Sequence, residues 1–213
     1  MGWVRILYTI MAADKIEPNL ATDWLGELPE RKRQQLQRLK QPEDQLRSLL
    51  AWQLLKIGVH AMGFPEFALH DVVALAKEKP WVNLPLDFSI SHSEPLVVCA
   101  LSGTAKVGVD TERYRPPNST LSGFMNAGEL RLIERDERNL MKFWSAKEAV
   151  VKAAGSKGVA AVGEVELQAA GAYFDQRHWY VQSISLHCDY CTHVASDKVI
   201  NDIEYREVAF PRG

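Results

Sequence analysis

Two carboxylates stand two residues apart in the alternating segment Val107–Glu112. If this segment is a strand, its two valines face the core, and Asp110 and Glu112 share the opposite face, about 7 Å apart along the strand. Like charges at that spacing repel each other unless a cation lies between them. Carboxylate oxygens suit Mg²⁺, which usually binds one or two carboxylates together with phosphates and water. The segment therefore predicts a magnesium site, and the simpler alternative is a pair of solvated acids at an exposed strand end.

A third carboxylate comes from the amphipathic pattern Phe143–Ala154, which predicts a helix. One face of this helix is apolar, and a second face carries Trp144, Glu148 and Lys152 at intervals of four residues. Glu148 is the candidate third ligand of the metal. The alternative is a surface ion pair between Glu148 and Lys152, which would contribute a few tenths of a kcal/mol.

Three further segments are candidates for binding phosphate. Alternation in Phe88–Ser93 puts the apolar residues on one face and the serines on the other, and His92 lies at the strand end, where imidazolium, hydroxyl and backbone N–H groups all donate. Lys79, fixed by the following Pro80, offers a point charge just before this strand. Two or three residues of the basic run Arg31–Lys40 could also hold a phosphate. The alternatives are a histidine bonded in a turn, a surface lysine and a solvated helix face.

Composition limits the class of protein. The chain has 213 residues, enough for one large domain or two small ones with a real core. Its net charge of −2 gives no general basic surface for nucleic acid, and no apolar run reaches the roughly 20 residues of a membrane helix. The N-terminus does not have the pattern of a signal peptide. Three cysteines without a secretory signal indicate a reducing compartment, so we expect a cytoplasmic protein.

The segment His187–His193 has a superficial likeness to a zinc site, because Cys188 and Cys191 are flanked by two histidines. In an extended strand, however, these cysteines point to opposite faces. The surrounding apolar residues are typical of a core sheet, and we therefore interpret the segment as a strand.

The order of the elements predicts an α+β fold made of two similar halves. Each half begins with a strand, continues with a polar helix rich in Glu, Arg and Leu, and then has a longer amphipathic helix. A diverged duplication of this kind would place a cleft between the halves, which we divide into residues 1–103 and 104–213, the second carrying the carboxylates. The predicted elements are the strand Val4–Met11 and helices from Glu30 and Pro42 in the first half, and the strand Val107–Thr111 and helices from Asn126 and Phe143 in the second.

Taken together and in this order, three segments resemble the Sfp-type 4′-phosphopantetheinyl transferases. Phe88–Ser93, Val107–Glu112 and Phe143–Lys152 match the family patterns F-N-I-S-H-S, (V/I)-G-(I/V)-D-x-E and W-(S/T/C)-x-K-E-(A/S)-x-x-K. Lys79-Pro80 looks like the family's G-K-P element, and Glu43–Ser48 resembles its coenzyme A-binding helix. The resemblance runs from about residue 29 to residue 158.

The resemblance implies a fold and an activity. The fold is a pair of α+β halves related by pseudo-twofold symmetry, with the active site in the cleft between them, and the length fits the two-lobed monomeric type. The activity is the Mg²⁺-dependent transfer of 4′-phosphopantetheine from coenzyme A to a serine of an acyl or peptidyl carrier protein, which releases adenosine 3′,5′-bisphosphate. Mn²⁺ is an alternative ion. Coenzyme A and the carrier are the expected partners, and neither nucleic acid nor a membrane is expected.

The resemblance also implies roles for particular residues. Asp110, Glu112 and Glu148 would hold the metal. Glu148 is the candidate base that takes the proton of the attacking serine, Lys152 would stabilise the pyrophosphate, and His92 completes the catalytic group. The implied cofactor-binding residues are Arg31, Arg47, Ser48, Lys79, Pro80, Ser91, His92 and Lys152. Of these, Arg47, Ser48 and Arg31 would hold the 3′-phosphate end of coenzyme A.

This sequence departs from the family pattern at three places. Glu78 stands where the family usually has glycine, Ser89 where it often has asparagine, and the interval between Asp110 and Glu148 is slightly short. Two other functions use the same residues: another Mg²⁺-dependent phosphate enzyme such as a hydrolase, or a catalytically silent adaptor that binds carrier proteins. Clustered carboxylates argue against the adaptor, because binding a carrier does not require them.

Overall fold

The computed structural model describes residues 2–10, 16–75, 78–116, 119–155 and 158–211, which form two sheets and several helices. This confirms the predicted α+β class. The helices are α1 (Pro18–Glu27), α2 (Glu30–Gln37), α3 (Pro42–Ala61), α4 (Ser119–Ser122), α5 (Ala127–Arg135) and α6 (Arg138–Ala154). The strands are β1 (Gly2–Ile10), β2 (Asp87–Ser93), β3 (Leu96–Ser102), β4 (Val107–Arg113), β5 (Glu166–Gln168), β6 (Gly171–Phe174), β7 (Arg177–Ile184), β8 (Tyr190–Ser196) and β9 (Ile200–Glu207).

The first sheet has the strand order β2-β3-β1-β9 and is covered on one face by α3. The sequence explains where α3 begins, because Pro42 stands in its first turn together with Glu43 and Asp44, whose charges suit the positive end of the helix dipole. Within α3, Gly58 lies against the side chains of Leu7 and Leu101. The predicted strand Val4–Met11 corresponds to β1, and Met11 lies outside the described residues.

The second sheet has the order β4-β8-β7-β6-β5 and is covered by α6. Helix α6 ends where the sequence predicts, at Gly155, which adopts the left-handed conformation with φ 79°. The helix passes very close to β4 at Gly108. A Cβ atom added there would lie 2.0 Å from the carbonyl oxygen of Ala149 and 2.4 Å from the amide nitrogen of Ala153. A residue without a side chain is therefore needed where the helix crosses the strand that carries the carboxylates.

Replacing Gly108 by alanine is expected to lower the free energy of unfolding by about 2–3 kcal/mol, because backbone atoms of α6 must move to admit the methyl group. Gly26 in α1 is the matched control, since a Cβ atom there would meet no atom within 4 Å. Its replacement by alanine should raise stability by about 0.5–1 kcal/mol. Denaturant unfolding of both variants tests this, and equal stability of Gly108→Ala and the wild type would contradict the packing described.

The faces of the two sheets that are turned away from the helices share one apolar core. Val4, Ile6 and Val98 of the first sheet and Val107 and Val109 of the second are all fully buried in it. The layers therefore run from α3 through the two sheets to α6. The valines of β4 therefore lie in the shared core, as the alternation predicted, and its other face lies beneath α6.

Strand order repeats between the two sheets. In the first, β1 precedes α3 and pairs antiparallel with β3, which pairs with β2; in the second, β4 precedes α6 and pairs antiparallel with β8, which pairs with β7. The repeat agrees with a duplication, while the pseudo-twofold relation and the division at residues 103 and 104 stay predictions. The last strand, β9, pairs in parallel with β1 and so belongs to the first sheet. Among the described residues, no helix combines the length and apolarity needed to cross a membrane.

Candidate active site

The edges of the two sheets are joined by side chains of β2 rather than by a backbone ladder. Alternate residues of β2 accept hydrogen bonds from alternate backbone N–H groups of β4. The donors and acceptors are Val107 N to Asp87 Oδ2 at 2.7 Å, Val109 N to Ser89 Oγ at 3.0 Å, Thr111 N to Ser91 Oγ at 3.3 Å and Arg113 N to Ser93 Oγ at 3.0 Å. The serines that the sequence placed on one face of β2 therefore fix the position of the strand that carries Asp110 and Glu112.

Asp110 is the centre of a buried polar network. Its Oδ1 accepts hydrogen bonds from Ser91 Oγ at 2.8 Å and from Lys152 Nζ at 2.6 Å. Lys152 also donates to Ser91 Oγ at 3.1 Å, so strand β2, strand β4 and helix α6 meet at one point. Ser145 of α6 donates to the backbone carbonyl of Asp110 at 2.9 Å. Lys152 is thus paired with Asp110 across the fold, whereas the surface alternative considered from the sequence paired it with Glu148.

The second carboxylate oxygen of Asp110 distinguishes this network from an ordinary ion pair. Oδ2 is buried, and it has no hydrogen-bond partner within the described part of the chain. A buried anionic oxygen without a partner is costly, so it is a candidate ligand atom.

The two neighbouring carboxylates also lie where a negative charge is disfavoured. Burial and the charge of Asp110 raise the pKa of Glu112 to about 7, with Glu148 adding a smaller contribution. Burial raises the pKa of Glu148 as well, an effect that Lys152 opposes and Asp110 reinforces. The oxygens of the carboxylate trio, Asp110, Glu112 and Glu148, do not form a compact group of ligand atoms. Among the described residues, the group whose three potential ligand atoms lie within 4.8 Å of one another is His187, Cys188 and Asp189. A shared cation would relieve the repulsion within the trio.

Removing the charge of Glu112 should change how stability depends on pH in the metal-free protein. Its pKa of about 7 in the fold lies above the ordinary 4.5, so the folded state binds more protons between these values and stability falls as pH rises from about 5 to 7. The expected loss is on the order of 3 kcal/mol. Glu112→Gln should remove it. His193, whose pKa burial lowers to about 4, contributes the opposite trend, so the measurement is the difference between the wild-type and variant unfolding curves in EDTA. Parallel curves would contradict this.

A cleft of about 330 Å³ opens beside Asp110 and contains several residues singled out from the sequence. Its lining includes Lys79, Pro80, Ser89, Glu148 and Lys152. The size and the mixed lining are suitable for part of a cofactor.

Lys79 differs from the sequence-based picture of a free surface charge. Its ammonium group is paired with Asp87 and donates to the carbonyl oxygen of Val107 at 2.7 Å, which ties it to the junction between β2 and β4. Burial lowers the pKa of Lys79, and Asp87 opposes this. Its role in binding phosphate therefore stays a prediction, and its contacts give it a structural role at the same junction.

The other predicted cofactor-binding residues occupy two places. Arg47 projects from the first turns of α3 toward the end of β2, where it contacts Glu94. Burial lowers the pKa of His92 at this end of the strand, and the charges of Lys152 and Arg47 lower it further. Ser48 is 7% exposed and so offers a ligand little surface. Arg31 lies on the exposed face of α2 and lines a cleft of about 820 Å³, which shares Pro80 and Ile90 with the cleft beside Asp110. Arg47 therefore lies at the end of β2 that carries His92, and Arg31 lines the larger of two adjoining clefts.

An ion pair that sequence reasoning missed lies directly beside Glu148. Lys147 is 1% exposed, and its Nζ lies 2.9 Å from Glu129 Oε2 and 3.1 Å from the carbonyl oxygen of Phe124. Glu129 also accepts from the N–H of Asn126 at 2.8 Å, while Asn126 Oδ1 caps the first turn of α5. The capping box predicted from Asn126 and Glu129 is confirmed, and it is anchored to α6 by Lys147.

The zinc-like segment is a strand only in its second half, because β8 begins at Tyr190 and residues 187–189 form the turn before it. Cys191 is buried in β8 with its Sγ 3.6 Å from the carbonyl oxygen of Glu112, while Cys188 is exposed in the preceding turn. The two cysteines therefore do not form a common site. In the turn, His187 Nδ1 accepts the backbone N–H of Asp189 at 3.2 Å, so its lone pair is already used.

Comparison with known proteins connects this geometry to a family. Residues 106–200, which include β4 and α6, match the family model described as the 4′-phosphopantetheinyl transferase superfamily. The predicted resemblance is confirmed over this segment. The chain is 33% identical over 88 residues to the 4′-phosphopantetheinyl transferase HetI of Nostoc sp. (strain PCC 7120 / SAG 25.82 / UTEX 2576), a match that covers 38% of this chain and 37% of HetI. It is 32% identical over 83 residues to the 4′-phosphopantetheinyl transferase gsp of Aneurinibacillus migulanus, covering 36% of this chain and 35% of gsp. The matches thus span little more than a third of either relative.

Proposed function

We propose that this protein is a 4′-phosphopantetheinyl transferase that moves 4′-phosphopantetheine from coenzyme A to a serine of an acyl or peptidyl carrier protein. The observation that carries the proposal is the buried network of Asp110, Ser91 and Lys152 with Glu112 and Glu148 beside it. The network lies at the junction of the two sheets, and the segment 106–200 that carries Asp110, Glu112, Glu148 and Lys152 matches the superfamily. The residue roles, the metal, the monomeric state and the cytoplasmic location stay predictions.

The carboxylate trio fits Mg²⁺ by its chemistry. All three side chains offer oxygen, one oxygen of Asp110 is buried without a partner among the described residues, and two of the pKa values are raised. Asp110, Glu112 and Glu148 would hold the ion after a side-chain rotation that brings them closer together. When bound, Mg²⁺ supplies neutralisation of the negative charge on the pyrophosphate of coenzyme A.

The remaining chemistry belongs to the side chains of the protein. Lys152 and Ser91, now bonded to Asp110 Oδ1, would donate to the phosphate oxygens in place of this carboxylate. His92 lies near the end of β2, where Arg47 contacts Glu94. Glu148 lines the cleft with a raised pKa, which suits a base that accepts the proton of the carrier serine. The serine oxygen then bonds to the β-phosphorus as the bond to the α-phosphate oxygen breaks, and adenosine 3′,5′-bisphosphate leaves.

Chromatography of the nucleotide products tests this reaction. Incubation with coenzyme A, Mg²⁺ and an apo carrier protein should release adenosine 3′,5′-bisphosphate in step with carrier modification. Without the carrier, no release is expected. Release of the same nucleotide without any carrier would support a hydrolase instead, and coenzyme A left intact by a protein that binds carriers would support the adaptor.

A further inference from the structure

The turn between β2 and β3 places a carboxylate on Arg47. Glu94 Oε2 contacts Arg47 Nη1, and Asp44 Oδ1 contacts Arg47 Nη2. The Arg47 side chain is 13% exposed, whereas that of Glu94 is 52% exposed. Both terminal nitrogens of the guanidinium group are thus engaged by carboxylates of the chain itself, at the position where the proposed function needs a phosphate ligand.

The backbone around Glu94 is held from two sides. The hydroxyl of Tyr190 in β8 donates to the carbonyl oxygen of Glu94. The preceding residue, Ser93, accepts the backbone N–H of Arg113 at 3.0 Å. These bonds hold the turn, so the backbone of Glu94 stays beside Arg47 when the carboxylate is displaced.

Positive charges converge at this end of β2 and are already neutralised. Arg47 contacts Glu94 just beyond the end of β2, and Lys152 donates to Ser91 Oγ of the same strand at 3.1 Å. Lys152 is paired with Asp110, and Arg47 with Asp44 and Glu94. A phosphate that binds here must therefore exchange with a carboxylate.

We propose that Glu94 is an affinity-setting residue that competes with the ligand's phosphate for Arg47, an inference that rests on the function proposed above. A terminal phosphate carries nearly two negative charges at neutral pH and three acceptor oxygens, whereas a carboxylate carries one charge and two oxygens. A phosphate monoester can thus displace Glu94 at a cost in affinity. Ligands that bear the 3′-phosphate, namely coenzyme A and adenosine 3′,5′-bisphosphate, bind more weakly and leave faster because of this competition, and 3′-dephospho-coenzyme A is not affected.

Calorimetric titration of Glu94→Gln with these three ligands, all with Mg²⁺ present, tests the proposal. The Kd values of coenzyme A and adenosine 3′,5′-bisphosphate should fall by about two- to fivefold, the range expected for loss of a partly exposed ion pair, and that of dephospho-coenzyme A should not change. Glu166→Gln is the matched control, because it removes one exposed charge on β5, at the edge of the second sheet opposite β4. The same comparison in an Arg47→Gln background should show no effect of Glu94→Gln.

Three outcomes would overturn the proposal while leaving the proposed function intact. They are weaker coenzyme A binding by Glu94→Gln, an equal gain from Glu166→Gln, or a gain that persists without Arg47. Failure of the wild-type protein to bind coenzyme A at all would overturn both the proposal and the function on which it rests.

Discussion

Replacing Glu148 by glutamine is expected to lower the rate of phosphopantetheine transfer by at least about 100-fold, the usual contribution of a general base. The amide cannot accept the serine proton, and it is a poorer ligand for a divalent cation. Glu148 lies at the edge of the cleft on α6. The fold should persist, since glutamine keeps the size of the side chain and removes a charge that burial disfavours. Single-turnover transfer to an apo carrier measures the rate, and denaturant unfolding measures the stability.

Glu166 offers the control for that experiment. It is exposed on β5, which lies at the edge of the second sheet opposite β4. Glu166→Gln removes the same charge and should leave the transfer rate within about twofold of the wild type. A folded Glu148→Gln variant with the wild-type rate would contradict the role assigned to Glu148.

Replacing Lys147 by methionine is expected to lower the free energy of unfolding by about 3–5 kcal/mol, because Glu129 would keep a buried charge without its partner. The neighbouring residue Glu148 should behave in the opposite way, with a large effect on rate and a small one on stability. Denaturant unfolding measures both. Lys142, on the same helix with a side chain 39% exposed, is the control, and Lys142→Met should cost less than about 1 kcal/mol.

A second replacement separates a lost charge pair from lost packing. The double variant Lys147→Met with Glu129→Leu leaves no buried charge, so it should recover most of the stability lost in Lys147→Met alone. Glu129 also accepts from Asn126 N, so the recovery should fall short of the wild type by about 1 kcal/mol. A double variant no more stable than Lys147→Met would show that the cost comes from packing.

Local patterns predicted the parts of the site that depend on a single element. Alternation in Val107–Glu112 correctly placed the valines in the core and Asp110 on the other face, because a strand allows only two directions for its side chains. The end of α6 at Gly155 and the capping box of Asn126 and Glu129 follow from chain-local rules and are confirmed.

The contacts between elements could not be obtained in this way. Nothing local indicates that Ser89 bonds to β4, that Lys152 pairs with Asp110, or that Glu94 reaches Arg47, since each contact joins residues far apart in the chain. The hairpin between β6 and β7 was missed for another reason. Its turn residues Asp175 and Gln176 both have positive φ, of 51° and 58°. Glycine and asparagine are the usual sequence signals for this conformation, and neither is present here.

The most direct test of the central claim is the intact mass of an apo carrier protein after incubation with this protein, coenzyme A and Mg²⁺. The account predicts that the carrier gains the mass of one phosphopantetheine group, and that EDTA or Glu148→Gln prevents the gain. Unmodified mass on several types of apo carrier, under conditions where titration shows that coenzyme A binds, would contradict the assignment of this site to phosphopantetheine transfer.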